Sequence, residues 1–340
     1  MFCCGNCFSD RFISNHIQKE SKRVGNCAFC SSTAVALIEP KELADIFQQV
    51  VDLYSETSQN GYLLVELLKK DWHLFDSMDT DKCYDLLSCI YPDTDYRIKI
   101  YQPKIYPDSV RIDRWKIFQE ELKHKNRYFP QQSPDLEHLK NLFNYVILPI
   151  DESPKLIYRA RCNMDNNMFS PDEMKKPPER SVSAGRANPV GIPYLYTASD
   201  NLTAIAEIRP HKGDCVSVAE IAVNERLILA DLRNPRKTVS PFELTEDDLN
   251  QLYVDIEYLC KLGEELSKPV LPRDAHLEYL PTQYLCEFIK HCGFDGVVYK
   301  SSVGEGDNYA IFHDDKLTVV NVIAYEVTET KIKAKKKGEL

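Results

Sequence analysis

Side chains that bind anions, hydroxyls and aromatic rings lie close together in the segment Ser183–Pro210. Arg186 and Asn188 stand in a turn rich in glycine and proline, where a guanidinium can grip phosphate and an amide can bind hydroxyls. Tyr194 and Tyr196 belong to a predicted short strand, and either ring could stack on a planar ligand. These residue types in one segment predict one half of a binding site.

Glu207 lies at the end of the same segment, in a predicted short helix. The apolar residues of that helix recur at helical spacing, and Asp200 or Asn201 is the predicted cap. Glu207 should therefore lie on or beside the apolar face. A carboxylate at such a position must be paired, hydrogen-bonded or used in chemistry. Taken alone, it would more often be the ion-pair partner of Arg209 or a charge on the helix face.

The first thirty residues contain two Cys-x2-Cys pairs, Cys4 with Cys7 and Cys27 with Cys30. This spacing is typical of a four-thiolate zinc centre, and Cys3 could substitute for Cys4. Four cysteine ligands leave no open position for a substrate, so residues 1–36 are predicted to form a structural zinc module.

The composition excludes several classes of protein. With 42 basic and 52 acidic residues, the net charge of -10 gives no general attraction to nucleic acid or anionic lipid. No apolar run approaches the roughly 20 residues of a membrane span, so a cytoplasmic protein without membrane contact is expected. Residues 331–340 form a basic tail, predicted to be solvated. The twelve cysteines are then expected as thiols or metal ligands rather than disulfides.

The length suggests about two domains of roughly 150 residues. Helical apolar periodicity dominates residues 37–150, which are predicted to form a helical domain after the zinc module. From 151 to 330, short strands joined by loops and a few helices predict an α+β domain with antiparallel pairing. Gly304 and Gly306 lack the third glycine of a dinucleotide-binding turn, so a Rossmann-type cradle is not supported.

Four separated blocks of sequence together resemble the RES domain, over roughly Ile157 to Phe312. The blocks are Tyr158-Arg159-Ala160-Arg161, Gly185-Arg186-Ala187-Asn188, Tyr194 to Glu207, and Phe294 to Ser302 with Asn308. The amino-terminal half is similar to the cysteine-bearing helical region that precedes some RES domains.

The resemblance implies an ADP-ribosyltransferase-like fold and a toxin that consumes NAD by phosphorolysis or hydrolysis. It assigns catalytic roles to Arg159, to Glu207 and to Ser301 or Ser302. NAD contacts would come from Arg186, Asn188, Tyr194 or Tyr196, and Asn308. It also implies an antitoxin partner, while the oligomeric state stays open, with a dimer as one candidate.

The chemistry of these residues fits that assignment. Cleavage of the nicotinamide–ribose bond develops positive charge on the ribose, which the Glu207 carboxylate could stabilise. One alternative is a mono-ADP-ribosyltransferase that uses the same pocket to modify a protein. An alternative of another class is a zinc-module RNA-binding protein or RNase, for which Arg11-x4-His16 is the relevant motif, although the acidic net charge counts against it.

Overall fold

The computed structural model describes residues 1–163 and 167–330, so the predicted basic tail lies outside the described residues. The chain forms two compact units. Unit 1 comprises Met1–Val110 and Asn234–Cys260, and unit 2 comprises Arg111–Arg233 and the chain from Lys261 onward. Among the helices of the described residues, none combines the length and apolar character needed to cross a membrane.

Helices and strands are both numbered in chain order. The helices are α1 (Arg11–Glu20), α2 (Ala44–Val51), α3 (Leu64–Trp72), α4 (Thr80–Ile90), α5 (Ser109–His124), α6 (Leu136–Tyr145), α7 (Asn201–Glu207), α8 (Pro235–Thr238), α9 (Glu246–Ser267), α10 (Ala275–Glu278) and α11 (Leu280–His291). The strands are β1 (Arg23–Gly25), β2 (Val35–Leu37), β3 (Tyr54–Thr57), β4 (Tyr62–Leu63), β5 (Ile100–Pro103), β6 (Leu156–Cys162), β7 (Leu195–Ala198), β8 (Cys215–Val223), β9 (Leu229–Asp231), β10 (Gly296–Lys300), β11 (Asp307–Ile311) and β12 (Leu317–Glu326).

Unit 1 combines α1 to α4 with two small antiparallel sheets, β1-β2 and β3-β5-β4. Neither sheet was predicted, because strands of two to four residues are too short for a recognisable alternation of apolar and polar residues. The predicted helices of this region do occur, and α4 begins at its cap Asp79, whose side chain accepts a hydrogen bond from the Lys82 amide.

The core of unit 1 includes residues from the distant segment 234–260. Phe242 packs on Phe47 with ring centroids 4.7 Å apart. Further along this segment, the Tyr253 hydroxyl donates a 2.9 Å hydrogen bond to the buried Asp71 carboxylate, which also accepts one of 3.0 Å from Tyr54. Because a buried carboxylate needs such donors, residues 234–260 complete the interior of unit 1.

Unit 2 is built on a seven-stranded sheet in the order β12-β8-β6-β7-β11-β10-β9. All neighbouring strands are antiparallel except β9 and β10, which are parallel. The predicted α+β fold with a cysteine cluster and a mostly antiparallel sheet is therefore confirmed.

The sheet opens between β6 and β7. Strand β6 pairs with β8 at every residue from Leu156 to Cys162, but it pairs with β7 only at Tyr158 and Ala198. One face of the sheet carries the apolar cluster that includes Ile157. The other face, with Ala160 and Ala198, packs against the short helix α7. This opening and α7 together position the site described next.

Candidate active site

A cleft of about 290 Å³ lies where β6 and β7 separate. Residues from two halves of the sheet and from α7 line it. Those with polar or charged groups include Tyr158, Arg159, Tyr196, Glu207, Tyr299 and Asn308. Three of the predicted site residues, Arg159, Glu207 and Asn308, are therefore brought together at one cleft, along with one of the two candidate tyrosines.

Glu207 is the last residue of α7 and is exposed at the cleft, not buried as an apolar-face position would suggest. Its Oε1 accepts hydrogen bonds from Ser301 Oγ and from Asn308 Nδ2, each 2.6 Å long. Two donors on one oxygen hold the carboxylate in a single orientation. The carboxylate is therefore oriented before any ligand arrives.

Ser301 is the serine that the structure brings to Glu207. Its hydroxyl oxygen accepts hydrogen bonds from the backbone amides of Val303 at 3.2 Å and Gly304 at 2.8 Å. With its lone pairs engaged by amides, the hydroxyl directs its proton to the carboxylate. Ser302 follows it in the same turn and is half-buried.

The turn that carries Ser301 is fastened to the start of α7. Asp200, one of the two predicted caps, caps this helix and accepts a 2.8 Å hydrogen bond from the Thr203 amide. The Thr203 hydroxyl also donates to Asp200 and accepts from the Gly306 amide at 3.1 Å. Although partial burial opposes it, these hydrogen bonds lower the pKa of Asp200. The cap therefore stays ionised and ties the turn to the helix that carries Glu207.

Arg159 lies on the strand next to the cleft, but its guanidinium is engaged elsewhere. Its Nη1 donates a 3.0 Å hydrogen bond to the Met174 carbonyl and another to the Lys175 carbonyl. Burial, reinforced by the nearby Arg161 charge, lowers the pKa of Arg159 to about 10. The guanidinium therefore holds residues 174 and 175, and Met174 belongs to the apolar cluster on the face of the sheet that carries Ile157.

Asn188 in the predicted polar turn and Tyr196 on β7 form a partly buried hydrogen-bond network. The Tyr196 hydroxyl donates to Asn188 Oδ1 at 2.8 Å and accepts from the amides of Ala187 at 2.8 Å and Asn188 at 3.2 Å. The Asn188 amide nitrogen bonds three carbonyls of its own loop. A Cβ on Gly185 would lie 2.4 Å from Asn188 Oδ1. Both side chains therefore shape the turn, and contact of Asn188 with a ligand stays a prediction.

Arg186 and Tyr194 do not line the cleft. Arg186 Nη1 donates a 2.8 Å hydrogen bond to the Lys268 carbonyl, and its guanidinium carbon lies 5.1 Å from the centre of the Tyr279 ring. The Tyr194 ring packs 4.7 Å from that of Phe312. The structure thus separates the two tyrosines that the sequence left as alternatives, since Tyr196 reaches the cleft and Tyr194 does not.

Tyr158 and Tyr299 line the cleft but were not among the predicted site residues. Tyr299 is buried, and this burial raises its pKa well above the usual value, assisted by the neighbouring Tyr196. Its hydroxyl therefore stays protonated at neutral pH. Strand alternation pointed away from Tyr158, because neighbours of the predicted site residue Arg159 face the opposite side of the sheet.

The four predicted metal ligands in unit 1 converge on one point. The sulfurs of Cys4, Cys7, Cys27 and Cys30 all lie within 4.8 Å of one another. A tetrahedral zinc with Zn–S bonds of about 2.3 Å separates its sulfurs by about 3.8 Å, so the cluster fits a zinc ion. Cys3 lies outside this cluster, and its thiol donates to the Ile38 carbonyl at 3.7 Å. Cys4 is thus the ligand of this pair that the geometry favours.

The sequence model of the RES domain matches residues 156–330, which is just over half of the chain. No curated protein is similar enough to count as a relative. Among solved structures, the M. tuberculosis MbcT–MbcA toxin–antitoxin complex contains a chain 13% identical to this one, with a TM-score of 0.33. The similar region covers 56% of this chain and 93% of the other, and a TM-score this low carries no argument. The extent of the RES match alone establishes the family, and the chain therefore belongs to the RES domain family.

Proposed function

We propose that the chain binds NAD in the β6–β7 cleft and cleaves the bond between nicotinamide and ribose. The observation that carries this proposal is the exposed Glu207 carboxylate, fixed by hydrogen bonds from Ser301 and Asn308. Breaking this bond develops positive charge on the ribose ring, and a carboxylate oriented in advance stabilises such charge without reorganising. Membership of the RES family supports the same chemistry, since the resemblance of this chain to that family implies NAD consumption.

The remaining residues of the cleft suggest how the dinucleotide would lie. Pockets for small molecules usually measure about 300–1,000 Å³, so this cleft would enclose one end of NAD and leave the rest at its mouth. We expect the nicotinamide ring against Tyr158 or Tyr299, since aromatic faces stack on planar rings. The Arg159 charge would attract the pyrophosphate, although a forked contact requires it to release the Met174 and Lys175 carbonyls.

The acceptor of ADP-ribose in this proposal is phosphate or water, and the biological role is that of a toxin restrained by an antitoxin protein. Transfer to a protein side chain is the competing outcome. The three acceptors give different products, namely ADP-ribose 1″-phosphate, free ADP-ribose or a labelled protein, and mass spectrometry separates them.

The test is NAD consumption by the purified full-length chain, with and without phosphate, followed by release of nicotinamide. Glu207→Gln should reduce turnover by at least about 100-fold, because electrostatic groups at a reacting centre are worth this much. Glu305→Gln is the matched control, since Glu305 is an exposed glutamate in the turn that carries Ser301. Circular dichroism checks that both variants fold. Equal turnover in the wild type and the folded Glu207→Gln variant would overturn the proposal.

A further inference from the structure

The cleft between β6 and β7 contains a carboxylate but no available cation. Of the described residues that line it, only Arg159 and Glu207 carry charge. The Arg159 guanidinium donates to the carbonyls of Met174 and Lys175, and Met174 belongs to the apolar cluster on the opposite face of the sheet. To reach a ligand beside Glu207, Arg159 would have to release both carbonyls.

Arg186, the other arginine expected to contact NAD, is also engaged. Its Nη1 donates a 2.8 Å hydrogen bond to the Lys268 carbonyl, and it does not line the cleft. The pyrophosphate of the proposed substrate is anionic, and a chain with a net charge of -10 repels it. Binding it close to the Glu207 carboxylate therefore requires a cation that neither arginine supplies as it stands.

Arg209 is an unpaired cation next to the cleft. Glu207 and Ile208 both line the cleft, and Arg209 is the next residue along the chain. It is exposed, and within residues 1–163 and 167–330 its guanidinium has no hydrogen-bond or ion-pair partner. In particular, it does not pair with Glu207, although the sequence taken alone favoured that pair. The guanidinium therefore stays available to a ligand.

The backbone that carries Arg209 is held at both ends. Its φ of 50° lies in the left-handed region, which residues with long side chains rarely adopt. The Arg209 amide donates a 3.1 Å hydrogen bond to the Ala206 carbonyl in the last turn of α7. Further along, the Gly213 amide donates a 2.8 Å hydrogen bond to the Val327 carbonyl, just after β12. Arg209 therefore projects from a fixed backbone, so a contact with a ligand costs only the ordering of its side chain.

We propose that Arg209 binds the pyrophosphate of NAD at the mouth of the cleft and thereby selects dinucleotides over substrates that lack phosphate. This inference rests on the proposed function, in which the cleft encloses the nicotinamide end at Glu207 and leaves the rest of NAD outside. A guanidinium presents parallel N–H donors that match the oxygens of a phosphate group. The exposed Lys212 in the same turn adds to the local positive charge.

The test titrates the full-length chain with ADP-ribose, which carries the pyrophosphate but has no nicotinamide bond to cleave. Arg209→Gln should weaken binding roughly 10- to 100-fold, because charge-assisted hydrogen bonds to phosphate are lost. Arg209→Lys should recover part of the affinity, since it keeps the charge but not the forked geometry. Arg226→Gln is the matched control and should leave the affinity unchanged. Arg226 is an exposed arginine beyond the far end of β8, roughly 30 Å from the Arg209 turn.

Two further readouts make the test specific for the phosphate contact. Arg209→Gln should raise KM for NAD with little change in kcat, and should leave kcat/KM for nicotinamide riboside unchanged, because that substrate has the same bond and no phosphate. Thermal unfolding checks that the variants fold, since an arginine after a helix also stabilises the helix end.

The outcomes separate this inference from the proposed function. A chain that binds ADP-ribose through Arg209 but releases no nicotinamide from NAD would refute the cleavage and support the contact. Unchanged affinity of the folded Arg209→Gln variant for ADP-ribose would overturn the inference. So would an equal loss of kcat/KM for nicotinamide riboside, or a wild-type chain that does not bind ADP-ribose.

Discussion

Ser301 Oγ lies 2.6 Å from Glu207 Oε1, although 93 residues separate the two along the chain. The serine comes from the turn between β10 and β11, and the glutamate ends α7. The neighbouring Ser302 occupies the same turn, so the two serines offer a matched comparison.

Ser301→Ala should lower the turnover of NAD about 10- to 100-fold, because it removes one of two donors that orient the carboxylate, a contact worth about 1–3 kcal/mol. Ser302→Ala should leave turnover within about twofold of the wild type. Initial rates of nicotinamide release at saturating NAD check both variants. Equal losses of turnover in Ser301→Ala and Ser302→Ala would show that the hydrogen bond from Ser301 to Glu207 does not determine the rate.

Loss of the hydroxyl should lower the free energy of unfolding at Tyr196 but not at Tyr194, two residues away. Tyr196→Phe leaves the backbone amides of Ala187 and Asn188 and the side-chain Oδ1 of Asn188 without this partner. The free energy of unfolding should therefore fall by about 2–3 kcal/mol. The buried Tyr194 hydroxyl has no hydrogen-bond partner within the described part of the chain. Tyr194→Phe should therefore leave stability unchanged or raise it by up to about 1 kcal/mol.

Urea unfolding followed by tyrosine and tryptophan fluorescence measures both free energies. A destabilisation of similar size in the two variants would contradict the assignment of this hydrogen-bond network to Tyr196.

Gly306→Ala tests whether the turn must stay fastened to α7. A Cβ on Gly306 would lie 2.3 Å from both Asp200 Oδ2 and Ser199 Oγ, so the turn has to shift. Overpacking of this kind costs about 1–3 kcal/mol, and the shift should also move Ser301 and lower turnover at least about 10-fold.

Gly191→Ala is the control for this variant. Gly191 has a φ of 80° and nothing within 4 Å of an added Cβ, so only backbone strain of about 1–2 kcal/mol is expected. Thermal unfolding and turnover together separate the two effects, since Gly191→Ala should keep its turnover. A Gly306→Ala variant with normal turnover would show that the turn tolerates displacement.

Metal content tests the cysteine cluster. The full-length chain should bind about one equivalent of zinc, and Cys7→Ser should lose it with partial unfolding of unit 1, since a structural zinc contributes directly to folding. Cys3→Ser keeps all four converging thiols and should retain the metal. Elemental analysis after gel filtration measures the zinc content of the wild type and of both variants. A metal-free protein with a normal unfolding temperature would refute the zinc site.

Local patterns of sequence predicted much of this site. The cap Asp200, the helix that ends at Glu207 and the two Cys-x2-Cys pairs all depend on residues within a few positions of each other. The order of Arg159, Glu207 and the serine pair pointed to the RES family, which the match over 156–330 establishes.

Features that depend on distant pairing could not be read in this way. The register of β6 decides that Tyr158 shares a face with Glu207 while the Arg159 guanidinium reaches the Met174 carbonyl. Likewise, Asn188 is a residue type that often contacts ligands. Only the fold shows that its side-chain amide nitrogen donates to three carbonyls of its own loop. Neither property is contained in the spacing of neighbouring residues.

Segment 234–260 limits how this protein can be cut into pieces. It lies inside the region matched by the RES family, yet it supplies Phe242 and Tyr253 to the core of unit 1. A fragment that begins near residue 150 would carry this segment without Asp71 and Phe47. The apolar residues of this segment would be exposed to water in the fragment. The amino-terminal part of unit 1, expressed without the segment, would lack part of its core. Neither unit is therefore encoded by one continuous stretch of the chain. Expression trials should start from the whole chain.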